Sequence, residues 1–126
     1  MRIVNRTRNT TITENAEVAR SAWKKMLGLM FRGSMEDTSG FLMEFGKPSK
    51  ELYSIWMLGM LFPIDVIFIS EKKEVTDVYE NVRPVSGDPR TWRVYRPTKP
   101  VKWILEVPAG RAGKSGTVTN DKLRFV

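Results

Sequence analysis

The feature that most constrains this chain is a single acidic residue placed between two apolar runs. Ile55 to Ile64 carries no charge, Asp65 follows, and Val66 to Ile69 is rich in β-branched and aromatic residues. A charge in such surroundings is costly unless it is hydrogen-bonded or reaches water. We therefore expect Asp65 to be either a structural anchor or the floor of a site.

The composition is that of one soluble domain of ordinary size, spanning residues 1–126. The chain is 41% hydrophobic and 28% charged, which suffices for a core without covalent staples. It has no Cys and no His, which excludes disulfides, thiol catalysis and the commonest metal ligand. We expect no metal and no cofactor. Gln is also absent, and depletion of thermolabile residues favours a heat-adapted, archaeal or thermophilic source.

Charge and hydropathy bear on partners and location. The net charge of +7 favours anionic neighbours, although it also serves solubility alone. The opening MRIVNRTRNTTI has no apolar core, and the run 55–64 is shorter than the ~20 residues that cross a bilayer. We expect a basic cytoplasmic protein that binds no membrane, as a monomer or weak homodimer.

Hydrophobic periodicity predicts a mainly β domain, α+β at most. Ala19, Trp23, Met26, Leu27 and Met30 share one helical face, which predicts one short helix near 19–28 ending at Gly28. Period-two patterns and turn residues predict eight or so short strands. They are one or two strands in 1–18, then 41–45, 52–57, 64–70, 74–82, 91–96, 101–107 and 117–126. Because a barrel has no exposed edge, we expect a closed or half-closed β-barrel.

Four stretches of the chain carry a family resemblance. They are GLMFR at 28–32, WMLGMLFPIDVIFI at 56–69, ILEVPAG at 104–110 and NDKLRF at 120–125. In this order and spacing they resemble the domain-of-unknown-function 192 family of small bacterial and archaeal β-rich domains. The resemblance implies a compact β-barrel-like fold and lends no reaction, because the family has no established activity.

Two positions depart from the family pattern. Many relatives carry Lys-Asn in the central motif, where Leu58 and Gly59 stand here, so a role for that polar pair does not transfer. The closing turn is Asn120-Asp121 instead of Gly-Asp. Because Asn tolerates a positive φ, we expect the turn to survive.

The leading functional hypothesis is a non-catalytic binding or accessory module with a pocket for a small polar ligand at the barrel mouth. Charged groups would orient the ligand against an apolar floor. Arg32 would instead be structural if it formed a salt bridge with Asp65, Glu44 or Glu106, and Trp56 and Met57 could simply be core residues. The predicted ligand-binding residues are Arg32, Trp56, Met57, Asp65 and Glu106.

A basic, aromatic stretch from Arg83 to Trp103 supports a rival hypothesis. Cations that follow phosphates, together with aromatic faces that stack on bases, are typical of single-stranded RNA or DNA binding. On the predicted strand 91–96, Tyr95 is expected to face outward with Arg93. The alternative is a solvated basic face. The predicted nucleic-acid-binding residues are Arg90, Arg93, Tyr95, Arg96 and Lys99.

A third hypothesis makes the protein a hydrolase or lyase. Asp65 and Glu106 would divide the acid and base roles in a partly dry cleft. The alternative is that each carboxylate accepts backbone N–H groups or pairs with Arg32. The Gly-rich loop 109–116 is not expected to bind nucleotides, because Pro108 stands where the phosphate-loop pattern needs Gly.

Overall fold

The described residues contain ten strands, which are arranged in three sheets. A computed structural model describes residues 1–21, 24–25, 28–29, 32–50 and 53–126. The longest strand is Ser39–Ser49, and its register against its neighbour shifts between Glu44 and Ser49. In chain order the strands are β1 (Ile3–Asn5), β2 (Thr10–Thr13), β3 (Asn15–Ala19), β4 (Ser39–Ser49), β5 (Ile55–Trp56), β6 (Ile64–Ile69), β7 (Val75–Val82), β8 (Val94–Tyr95), β9 (Val101–Pro108) and β10 (Leu123–Phe125).

The central sheet has the strand order β3-β4-β9-β6-β7. Strands β3 and β4 are parallel, and the other neighbours are antiparallel. All six residues of β6 are buried, because β6 has a neighbour on each side and packed side chains on both faces. This explains why its sequence is almost continuously apolar instead of alternating.

The two smaller sheets complete the fold. Strand β1 lies between β10 and β2, while β5 pairs only with β8. The prediction of a mainly β protein is confirmed, but the closed or half-closed barrel is not. The described strands form three separate sheets, and the central one ends at β3 and at β7. Strand periodicity indicates which face of a strand is buried, but it does not determine whether the first and last strands pair.

Two hydrophobic clusters pack against the two faces of the central sheet. One contains Phe41, Val66, Phe68 and Ile104. The other contains Leu42, Ile67, Leu105 and Val107. Because successive side chains in a strand point to opposite faces, β6 and β9 contribute to both clusters.

The helical segments differ in part from the prediction. Lys24 and Lys25 are helical, and the Gly28 N–H donates to the Lys24 carbonyl at 2.9 Å. Ala19 instead ends β3. The rest of the predicted apolar face, Trp23, Met26, Leu27 and Met30, lies outside the described residues.

The predicted Gly-rich loop contains helix α1 (Arg111–Ser115). Gly110 and Gly116 border it with positive φ values of 98° and 69°, which glycine adopts at low cost. The prediction of a loop was therefore wrong for the residues between these glycines. Among the described helical segments, none is both long and apolar enough to cross a bilayer.

The predicted strand 91–96 is shorter than expected. A 3₁₀ turn occupies Pro89–Thr91, and the Asp88 carboxylate caps it by accepting the Arg90 N–H at 3.0 Å. Only Val94 and Tyr95 remain in strand β8. Its pairing with β5 places Trp56 opposite Val94. This pairing positions Trp56, which lines a cavity together with Glu106.

Candidate functional site

Two buried carboxylates lie on neighbouring central strands but on opposite faces of the sheet. Asp65 on β6 is paired with Val107 on β9, and Glu106 on β9 is paired with Val66 on β6. Because side chains alternate between faces along each strand, the two carboxylates point away from each other. The acid–base pair proposed for a hydrolase or lyase is therefore not brought together in one cleft.

The carboxylate of Asp65 is fully buried and has three backbone partners. One oxygen accepts the N–H of Asn81 at 2.8 Å. The other accepts the N–H groups of Gly110 at 3.0 Å and Ala112 at 2.9 Å. These bonds compensate the cost of burying the charge and join β6 to the end of β7 and to the start of α1.

Glu106 lines a mainly apolar cavity with a volume of about 210 Å³. Its neighbours across the sheet are Phe41 and Val66, which belong to the first hydrophobic cluster. The walls of the cavity come from Lys25, Gly28 and Leu29 and from the segment around β5. The lining residues are Lys25, Gly28, Leu29, Met43, Ser54, Ile55, Trp56, Met57, Leu58, Met60 and Glu106.

Glu106 differs from Asp65 because no described residue forms a hydrogen bond or an ion pair with its carboxyl group. The residue is 5% exposed. Because every described side-chain oxygen or nitrogen that is closed off from solvent has a hydrogen-bond partner, the carboxyl oxygens of Glu106 reach solvent through the cavity. Burial raises the pKa of Glu106 from 4.5 to about 7, because the apolar surroundings disfavour the ionised form. Near neutral pH this group can therefore either donate or accept a hydrogen bond.

Lys25 borders the same cavity, but its ammonium is engaged elsewhere. The Nζ donates to the carbonyl of Glu44 at 2.9 Å. It also lies 4.5 Å from the centre of the Phe45 ring. Lys25 therefore contributes its hydrocarbon chain to the wall, while its charge is held at the middle of β4.

Two of the predicted ligand-binding residues, Trp56 and Met57, line this cavity with Glu106. Met57 is fully buried, whereas Trp56 is 56% exposed and so borders the opening. The chain then turns at Gly59, whose φ is 80°, and the Met60 N–H donates to the Met57 carbonyl at 3.1 Å. This turn returns the Met60 side chain to the cavity.

The other two predicted residues, Arg32 and Asp65, are not in the cavity. Arg32 donates to the carboxylate of Glu17 at 3.1 Å, and its guanidinium lies 5.9 Å from the centre of the Phe41 ring. Burial alone would raise the pKa of Glu17, but hydrogen bonds from Arg32 and Lys24 outweigh burial and lower it. The alternative role for Arg32, a salt bridge to Asp65, Glu44 or Glu106, is not observed, because Arg32 pairs with Glu17 instead.

The basic stretch forms a second cavity of about 330 Å³, bordered by Arg83, Arg90 and Arg93. Tyr95 is only 8% exposed, and the Arg93 guanidinium lies 4.5 Å from the centre of its ring. The expectation that Tyr95 faces outward was therefore wrong, because its pairing with Ile55 turns it into the core. Arg90 forms an ion pair with Asp88 at 2.7 Å. Arg96 and Lys99 are exposed and lie outside this cavity.

Sequence reasoning missed most of the cavity wall, although a signal was present. Three of the four stretches that carry the family resemblance meet there, through Leu29, the segment 56–60 and Glu106. Three of the four stretches also make structural contacts. Asp65 accepts the N–H of Gly110 at 3.0 Å, and Asp121 accepts hydrogen bonds from Asn5 and Arg8 at 2.9 and 3.1 Å. In the described part of the chain, no three carboxylates group closely enough to hold a metal ion.

Archaeal proteins are among the known proteins with related sequences. A UPF0127 protein of Thermococcus sibiricus is 32% identical over 86% of this chain and 64% of its own length, so the chain spans just under two thirds of that relative. A UPF0127 protein of Pyrococcus abyssi is 29% identical over 98% of this chain and 97% of its own.

A solved structure shares the fold over almost the whole chain. It is a Sinorhizobium meliloti 1021 protein described as a candidate transcription regulator. It is 26% identical with a TM-score of 0.81, covering 98% of this chain and 89% of its own. The family model of the domain of unknown function 192, described as "Uncharacterized ACR", matches residues 3–125. The chain therefore belongs to the domain-of-unknown-function 192 family.

Proposed function

We propose that this protein is a binding module that takes a small ligand into the cavity above Glu106. The observation that carries this proposal is the buried carboxyl group of Glu106, which has no partner among the described residues. An apolar cavity with one convergent polar group and a perturbed pKa is typical of ligand sites. A ligand that hydrogen-bonds to this group would offset the cost of its burial.

The size of the cavity restricts the ligand. The volume of about 210 Å³ corresponds to roughly seven water molecules at about 30 Å³ each. A dry cavity of about 150 Å³ holds benzene, so this one can accept a ring with a short polar substituent. The indole of Trp56 offers a flat surface at the opening, against which such a ring can pack.

A thermal-shift panel of small metabolites and sugars tests the proposal with two matched tryptophan variants. Trp56→Ala should abolish the shifts produced by any hit, because it removes one wall of the cavity. Trp92→Ala is the control: Trp92 is 61% exposed and its indole N–H donates to the Ser86 carbonyl, away from the cavity. The proposal fails if no compound stabilises the protein, or if the two variants lose the shifts equally.

A second candidate function is binding of single-stranded RNA. The specific observation in its favour is that Arg83, Arg90 and Arg93 border one cavity, and the Sinorhizobium relative described above is named as a candidate regulator of transcription. Affinity for labelled poly-U should then fall steeply with salt, and Arg83→Ala should reduce that slope by about one. Arg124→Ala on β10 is the control. Lack of binding at low salt would remove this candidate.

A further inference from the structure

We propose that the Glu106 cavity selects a small organic ammonium ion, whose N–H groups bind the Glu106 carboxylate while its hydrocarbon part packs against the methionines. The inference rests on the proposed function and names the ligand class. It follows from what the described residues leave unmatched inside the cavity. A carboxylate offers only acceptors, and no described side chain or backbone N–H is directed at it.

The charged groups around Glu106 leave this role open. On the described strands and turn near Glu106, the charged side chains that form a contact do so with partners other than Glu106. Four of these cations bind oxygen atoms of glutamates: Lys25 the Glu44 carbonyl, and Arg20 the Glu44 carboxylate, while Arg32 and Lys24 both pair with Glu17. Lys102 lies 5.4 Å from the Trp103 ring, and Asp65 accepts three backbone N–H groups on the other face of the sheet. Among the residues that the structure describes, no cation therefore takes the place of a cation supplied by a ligand.

The remaining walls suit the hydrocarbon part of an amine. Met43, Met57 and Met60 present thioethers, which adapt to irregular shapes and contact aromatic rings favourably. Trp56 at the opening presents an indole face, which attracts cations within about 6 Å. An anionic ligand would instead meet the like charge of an ionised Glu106.

Three probes that share one ring but differ in charge test the ligand class. They are 2-phenylethylamine, 2-phenylethanol and phenylacetate, titrated at pH 8 by calorimetry or ligand-observed NMR. The amine should bind at least tenfold more tightly than the alcohol, and phenylacetate more weakly than both. Lowering the pH to 6 should weaken amine binding about tenfold, because Glu106 is then largely protonated.

Two variants identify the group responsible. Glu106→Gln should remove the advantage of the amine over the alcohol while leaving the alcohol unaffected. Leu58→Lys changes a half-exposed residue at the opening, so it should fold, and its own ammonium should compete with the amine. The inference is overturned if the amine binds both variants as tightly as it binds the unmodified protein.

The remaining outcomes separate this inference from the proposed function. If the alcohol or phenylacetate binds as tightly as the amine, the cavity is a binding site but the ammonium class is wrong. If none of the three probes binds, the proposed function fails and the inference fails with it. Nα-acetyl-lysine N-methylamide carries a free ε-ammonium on a peptide-like backbone. If this probe binds more tightly than 2-phenylethylamine, the assignment to a small free amine is overturned.

Discussion

Asp65 and Glu106 are two buried carboxylates on adjacent strands, yet their surroundings are opposite. Asp65 faces three backbone N–H donors within 3.0 Å, whereas Glu106 has no described partner and faces a cavity. A buried charge with matched donors stabilises the fold around it, and one without donors costs stability. The contrast indicates that burial alone does not identify a functional acid; what matters is whether the protein itself satisfies the group.

The largest expected effect is on the satisfied side of this comparison. Asp65→Asn replaces one acceptor oxygen with an NH₂ group, which must face at least one of the three backbone N–H donors. We expect the free energy of unfolding to fall by about 3–5 kcal/mol, because buried donors lose their acceptor. Denaturant unfolding at pH 7 measures it. A loss below about 1 kcal/mol would show that these amides find other acceptors.

The matched change on the other face is Glu106→Gln, and its effect should depend on pH. The pKa of Glu106 is raised to about 7 in the folded state, so the folded protein binds a proton more tightly than the unfolded chain. Stability is therefore lost as the pH rises from about 4.5 to about 7, by roughly 3 kcal/mol in total. Glu106→Gln removes this loss.

Unfolding measured at pH 5 and pH 8 checks the result for Glu106. The difference in the free energy of unfolding, variant minus unmodified protein, should be larger at pH 8 than at pH 5. Parallel pH profiles for the two proteins would contradict the raised pKa and would place the group in contact with solvent or a donor.

A third carboxylate, Asp121, sharpens the comparison because it is buried, satisfied and close to the surface. Burial raises its pKa, but hydrogen bonds from Asn5, Arg8 and the Val118 N–H outweigh burial and lower it below 3.8. Asp121→Asn should cost about 1–3 kcal/mol at pH 7. This cost should shrink as the pH falls below 3.8, where the stabilising charge is lost. An equal cost at pH 7 and at pH 2 would exclude a role for the charge.

The smallest effect is expected for Arg32, whose predicted partners were Asp65, Glu44 and Glu106. Because Arg32 pairs with Glu17 and both side chains are about half exposed, Arg32→Ala should cost no more than about 1 kcal/mol. Arg32→Ala should also leave unchanged the effect of Glu106→Gln on the pH dependence of the free energy of unfolding. A double-mutant cycle with Glu106→Gln measures this, and a coupling above about 0.5 kcal/mol would place the two residues in contact.

The strands were the most predictable part of the fold. The long apolar or alternating runs gave β6, β7 and β9 to within one residue at each end. Sheet closure was not predictable, because it depends on which edges pair, and the parallel pairing of β3 with β4 has no local sequence signal. The helix at 111–115 was missed because glycines mark both helix ends and loops.

The candidate site was predictable in part. The apolar flanks of Asp65 left two roles open, a structural anchor or the floor of a site. The choice between them was not predictable, because its donors are backbone N–H groups 16, 45 and 47 residues away, and nearly every residue has such a group. The pairing of Arg32 with Glu17 was also not predictable, because a long side chain can reach any of several carboxylates. The stretches that carry the family resemblance did indicate Trp56, Met57 and Glu106 as site residues, because three of these stretches meet at the cavity.

The bonds to Asp65 also bear on how the molecule opens. Asn81 and Gly110 are exposed residues, whose amide hydrogens would ordinarily exchange with solvent quickly. Each of their N–H groups is directed at a fully buried oxygen acceptor, so exchange requires separation of β6, β7 and α1 from one another. In deuterated water these two amides and that of Ala112 should therefore exchange together, at the slow rate of the central sheet.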